Sequence, residues 1–194
     1  LKQMKKIVSA AYTKWDENVF NFYIEKFNLP LNKKIGTLSK GMKMQYMLSL
    51  ALSHHAELLI MDEPTSGLDP LVRLELMQIL RELADKGIGI LFSSHITSDL
   101  EKIADNLVFI HKGIMVFQKS IQEVKNSYFV VEDDLINLTP ENKKLFLNVV
   151  KYKETFKGIY FGNKNDIILN FPHAKIENAS LEDIMIGNIY RCEQ

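Results

Sequence analysis

The sequence predicts an α/β fold built on a mostly parallel sheet, followed by a small α+β appendage. Short apolar runs of buried-strand length stand at residues 58–61 and 88–93, and amphipathic helical segments precede and separate them. Beyond about Lys125 the character changes to short strands around a helix. The two parts are therefore expected at residues 1–124 and 125–194. With 194 residues, 46% hydrophobic and 25% charged, the chain has an ordinary globular composition and enough length for one sizeable core.

Asp16 is a plausible cap for a first helix, in which Val19, Phe20, Tyr23, Ile24 and Phe27 recur at helical spacing before Pro30 stops it. A second helix is expected at about 40–53, ahead of the apolar strand 58–61. Residues 70–86 read as helical again, with apolar positions Leu71, Leu74, Ile79, Leu80 and Leu83 and Gly87 as terminator, and lead into the strand 88–93. A short helix at 98–105, a strand at 107–111, a turn at Lys112-Gly113 and a strand at 114–117 follow. In the appendage, strands are expected at 128–131, 159–161 and 167–171 around a helix at 140–149. Ser180 then opens a terminal helix with carboxylates in its first turn.

Acidic and basic side chains balance at 24 each, so no overall field draws the chain to nucleic acid, which is not expected as a partner. Cys192 is the single cysteine, which excludes an internal disulfide framework and fits a reducing compartment. No stretch approaches the roughly 20 apolar residues that span a bilayer, so any work at a membrane would need separate membrane-spanning subunits. The start at Leu1 lacks an initiator Met and a signal-peptide pattern, and reads like the interior of a longer protein.

The strongest chemical signal is Asp62-Glu63-Pro64-Thr65-Ser66-Gly67-Leu68-Asp69-Pro70 directly after the strand 58–61. An apolar strand thus delivers two adjacent carboxylates to its C-terminal end, where parallel sheets place ligands. In a nucleotidase the first can hold Mg²⁺ against the phosphates and the second can polarise the attacking water, roles that fall to Asp62 and Glu63. An isolated Asp-Glu-Pro more often only caps a turn, but two neighbours in sequence raise its weight. Upstream, Leu38-Ser39-Lys40-Gly41-Met42 opens a predicted helix, offering a hydroxyl, a cation and open backbone N–H groups to a phosphate. Downstream, Ser93-Ser94-His95 ends the second strand, so His95 should emerge on the same sheet edge as Asp62 and reach a γ-phosphate.

Residues 38–42 resemble the signature sequence of ATP-binding cassette (ABC) proteins, 59–63 their Walker B strand, 66–69 their D-loop, and His95 their switch histidine. Order and spacing agree, and the resemblance extends from about Trp15 to about Phe117. It implies a partial P-loop NTPase fold of the ABC type with a helical subdomain, and ATP and Mg²⁺ as cofactors. It also implies a face-to-face dimer in which Ser39, Lys40 and Gly41 touch the nucleotide held by the partner, with Asp69 in the D-loop beside it. Lys40 replaces a Gly, Met42 a Gln, Gln45 a frequent Arg and Ala56 a frequent Pro; similar signatures occur in exporter-like bacterial ATPases.

A Gly-x-x-x-x-Gly-Lys-Ser/Thr phosphate loop occurs nowhere in the 194 residues. Residues 113–120 come near, but Gln118 stands where the second Gly must be, and the segment reads as a hairpin. The resemblance therefore implies the ATP-hydrolysing subunit of an ABC exporter, peripheral on the inner face of the cell membrane beside a transmembrane subunit, with the N-terminal Walker A part missing. This chain alone is expected to be inactive. A non-transport cassette ATPase and a non-catalytic regulatory or dimerisation fragment are the competing readings.

Overall fold

The computed structural model describes residues 1–192, and the chain forms two compact units that divide between Ile96 and Thr97. The first contains α1 (Lys2–Ala11), α2 (Glu17–Lys26), α3 (Lys40–Leu52), β1 (Leu58–Asp62), α4 (Pro70–Asp85) and β2 (Gly89–Ser93). Asp16 caps α2 by accepting from the N–H groups of Asn18 and Val19, as its position before the periodic run predicts. Phe20, Ile24 and Leu29 pack with Tyr46 of α3, and Trp15, Phe27 and Met42 close round them. The Tyr46 hydroxyl donates to the Leu1 carbonyl at 2.9 Å. Helix α1, which the sequence reading did not anticipate, is joined to α2 by Lys5 and Glu17.

Helix α4 is the crossover between β1 and β2, which pair in parallel from Leu58↔Gly89 to Asp62↔Ser93. Its core face is Leu76, Met77, Ile79, Leu80 and Leu83, whereas Leu71 and Leu74, expected on that face, are exposed. They lie in the first turns, ahead of the buried part of the helix. Gly87, at φ +89°, ends α4 by turning the chain left-handed, so that the Ile88 N–H returns to the Leu83 carbonyl at 3.1 Å.

The second unit contains α5 (Thr97–Ile103), β3 (Asn106–His111), β4 (Ile114–Ser120), α6 (Ile121–Ser127), β5 (Tyr128–Asp134), α7 (Pro140–Lys143), β6 (Phe146–Lys151), β7 (Thr155–Phe161), α8 (Lys164–Asn170), β8 (Lys175–Asn178) and α9 (Leu181–Cys192). β3 and β4 form the expected antiparallel hairpin, and β6-β7-β5-β8 form an antiparallel sheet. The compact unit begins earlier than residue 125 because Leu107, Ile121 and Val124 share one core with Tyr128, Val130 and Ile159.

Two appendage elements differ from expectation. The helix expected at 140–149 stops at Lys143, and Phe146, Val149 and Val150 enter a strand paired with β7, where β-branched and aromatic side chains pack better. Residues 167–171, expected as a strand, lie mostly in α8, which Asn163 caps by accepting from the Asn165 N–H. Ile167 and Phe171 recur at helical spacing and are both buried in the core around Phe156.

Candidate functional site

In-register pairing brings the C-terminal ends of β1 and β2 level, with Asp62 opposite Ser93. The Ser93 hydroxyl donates to Asp62 Oδ1 at 2.5 Å and accepts from the Glu63 N–H at 3.0 Å. One side chain of β2 thus fixes both the last residue of β1 and the carboxylate-bearing residue that follows it. Glu63 has φ +48°, a left-handed conformation that costs a non-glycine residue about 1–2 kcal/mol. The surrounding contacts hold it there. Its Oε1 accepts from the His95 N–H at 3.0 Å, and its Oε2 lies 2.7 Å from His95 Nδ1, an ion pair whenever the imidazole is protonated.

The chain leaves this corner through a tight turn. Ser66 N–H returns to the Glu63 carbonyl at 3.1 Å, Leu68 N–H to the Thr65 carbonyl at 3.2 Å, and Gly67 takes φ +67°. Pro64 and Thr65 are buried beneath the turn. Asp69 then caps α4, accepting from the Val72 N–H at 3.1 Å, with Pro70 in the first helical turn.

Residues 38–42 meet the other side of this turn. Ser39 caps α3, its hydroxyl accepting from the Met42 N–H at 3.2 Å. Gly41 is buried because the helix start presses on α4: a Cβ there would fall 2.7 Å from Val72 Cγ1. Lys40 lies along Gly67, whose Cβ, if present, would be 3.2 Å from the ammonium. The seven residues singled out from sequence therefore form two groups linked by one turn. Asp62, Glu63 and His95 meet at the strand ends, and Ser39, Lys40, Gly41 and Asp69 lie at two helix starts packed on each other.

Ser93 was given no role from sequence, although it forms the bond on which the strand-end group depends. Its signal was positional, a hydroxyl two residues before His95 on a neighbouring strand, and becomes visible only once register is known. Among the described residues no cluster of three or more His, Cys, Asp and Glu could cage a metal. Asp62 is exposed at the strand end and offers one carboxylate, which fits Mg²⁺, an ion that is commonly held by one or two carboxylates with substrate phosphates and water.

The family profile described as "AAA domain, putative AbiEii toxin, Type IV TA system" matches residues 4–98. The uncharacterized ABC transporter ATP-binding protein YhaQ of Bacillus subtilis is 32% identical over 186 residues, covering 86% of this chain and 61% of that protein. The bacitracin transport ATP-binding protein BcrA of Bacillus licheniformis is 39% identical over 94 residues, 48% of this chain and 31% of that one. A solved ATP-binding subunit of an ABC transporter superposes with TM-score 0.55 at 29% identity, over 63% of this chain and 53% of that one. Across these relatives the chain spans between about a third and three fifths of their length.

Proposed function

We propose that the chain belongs to the ATP-binding cassette ATPases and is the part of a transporter's ATP-hydrolysing subunit that carries the catalytic strand ends and the signature loop. The observation behind this reading is the corner at the ends of β1 and β2, where Asp62, Glu63, Ser93 and His95 converge. Asp62 holds Mg²⁺ against the phosphates when nucleotide is bound, Glu63 orients and polarises water, and His95 contacts the γ-phosphate. His95 already grips Glu63, so arrival of a phosphate at the imidazole alters what holds the carboxylate. Ser39, Lys40 and Gly41 act on nucleotide held by a second ATPase subunit, with Asp69 in the turn beside them.

The names of BcrA and of the lantibiotic transport protein SrtF of Streptococcus pyogenes, 36% identical over 108 residues, support transport as the work performed. Export through a separate membrane subunit, at the inner face of the membrane, is our reading of that kinship. No helix among the described residues is long and apolar enough to cross a membrane. The test is Glu63→Gln in the full gene product. Nucleotide binding should persist while phosphate release falls by on the order of a hundredfold to ten-thousandfold, the usual contribution of a positioned acid or base. Unchanged turnover would remove Glu63 from catalysis and with it the assignment of the corner.

A further inference from the structure

We propose that the free edge of β6, in the C-terminal unit, is a docking site for an acidic, extended segment of a partner protein, which joins the sheet as an additional strand. β6 is an outer strand of β6-β7-β5-β8, bonded on one side to β7. Among the described residues, no backbone hydrogen bond outside that ladder involves residues 146–151, so the outward N–H and C=O groups are available for strand addition.

A groove runs along this edge. The end of α9 contributes Tyr190 and Arg191 to it, and α7 contributes Pro140 and Lys143. Exposed Leu145, Val150 and Tyr190 supply apolar contacts of the kind that alternate side chains of an added strand require. Asn148 also lines the groove, with its Oδ1 buried and without a hydrogen-bond partner among the described residues.

Charge selects the occupant. Among the described residues the groove is lined by Lys143, Lys144, Lys151 and Arg191 and by no carboxylate. A second copy of the chain would bring the same cations to the seam and be repelled, whereas a strand alternating acidic and apolar residues satisfies both the cations and the apolar floor. Lysines also protect sheet edges against aggregation, and that role alone would leave the groove without a ligand.

The probe is a fluorescein-labelled peptide alternating Glu and Val, followed by anisotropy against the whole chain. Binding is expected, weakening with salt. It should fall by about tenfold or more for the pair Lys144→Glu with Lys151→Glu, for a Lys–Val peptide, and for a Glu–Val peptide N-methylated at alternate residues. The methylated peptide alters no protein residue, so its result does not depend on how a variant folds. No binding by the folded chain, or equal binding of the methylated peptide, would overturn strand addition. Capture by phosphatidylserine vesicles that the Glu–Val peptide fails to displace would reassign the groove to a lipid surface, and self-association lost in Lys144→Glu would reassign it to a second copy.

Discussion

Glu63 is a residue whose chemistry and backbone strain coincide. Left-handed non-glycine residues persist where their surroundings over-determine them, and here Ser93 holds the amide while His95 holds the carboxylate. Replacing His95 by Ala removes the side-chain grip on Oε2 but leaves the backbone N–H on Oε1, so the carboxylate should stay near its place. Turnover of the full gene product should then fall by about a hundredfold, as when one preorganised polar contact to developing charge is lost, with nucleotide binding little changed. Steady-state phosphate release read against bound nucleotide decides it, and an unchanged rate would make His95 a packing residue. Gly41 carries a different expectation. Its place in the signature suggested an open approach to phosphate, but the structure gives it a packing reason as well, since a methyl group would strike Val72. Gly41→Ala should lower stability by about 1–3 kcal/mol through overpacking, measured by urea unfolding of this chain, and loss of no stability would mean that α3 and α4 are less closely set.

At the scale of elements, legibility followed periodicity and caps. α2, α3 and α4 were readable because Asp16, Ser39 and Asp69 each stand before an apolar period and each proves to accept from the backbone of the first turn. The corner of the site was readable for a related reason, since two short apolar runs ending in Asp62 and Ser93 can be level only in a parallel pair. The appendage resisted because short apolar runs do not distinguish a strand from a buried helical turn: residues 167–171 coil while 146–151 extend, and tertiary pairing with β7 decided the second. α1 was missed because none of its residues is buried and its ties are polar. Those ties predict a pH response. Lys5, and then Trp15, hold the Glu17 carboxyl below its ordinary value of 4.5 through side-chain hydrogen bonds. A depressed folded-state value means that this stabilisation is complete above 4.5 and is lost as the pH falls through the lower, folded value. Trp15 is the only tryptophan and its Nε1 donates to Glu17 at 3.0 Å, so its emission should report the transition. Lys5→Gln should move the midpoint towards higher pH. An unmoved midpoint would show that Lys5 does not hold Glu17 in solution.

For the whole molecule, the question is what these 194 residues, similar to part of the ABC transporter ATP-binding proteins, can do by themselves. Phosphoryl transfer to water rests on positioning and charge neutralisation, and a phosphate loop supplies much of both through backbone N–H groups and a lysine. No such loop occurs in this sequence. Asp62 and Glu63 are carboxylates, which repel a polyphosphate unless Mg²⁺ intervenes, and Ser39 with Lys40 lies at a helix start that we assign to a partner's nucleotide. The chain should therefore bind Mg-ATP weakly and not turn it over. The same face should be adhesive. Ile60 is 71% exposed, Leu91 59% and Leu58 55%, and Ile60 lies directly across from Leu91 in the parallel pair, so β1 and β2 present one contiguous apolar patch. Sedimentation of the purified chain should show association that grows with concentration, and Ile60→Lys with Leu91→Lys should relieve it while leaving the α3–α4 packing intact. Calorimetric titration with Mg-ATP beside a phosphate-release assay completes the test. Micromolar binding with turnover that Glu63→Gln abolishes would mean that this chain holds and cleaves nucleotide without a phosphate loop. The expectation that turnover depends on a phosphate loop would then fall.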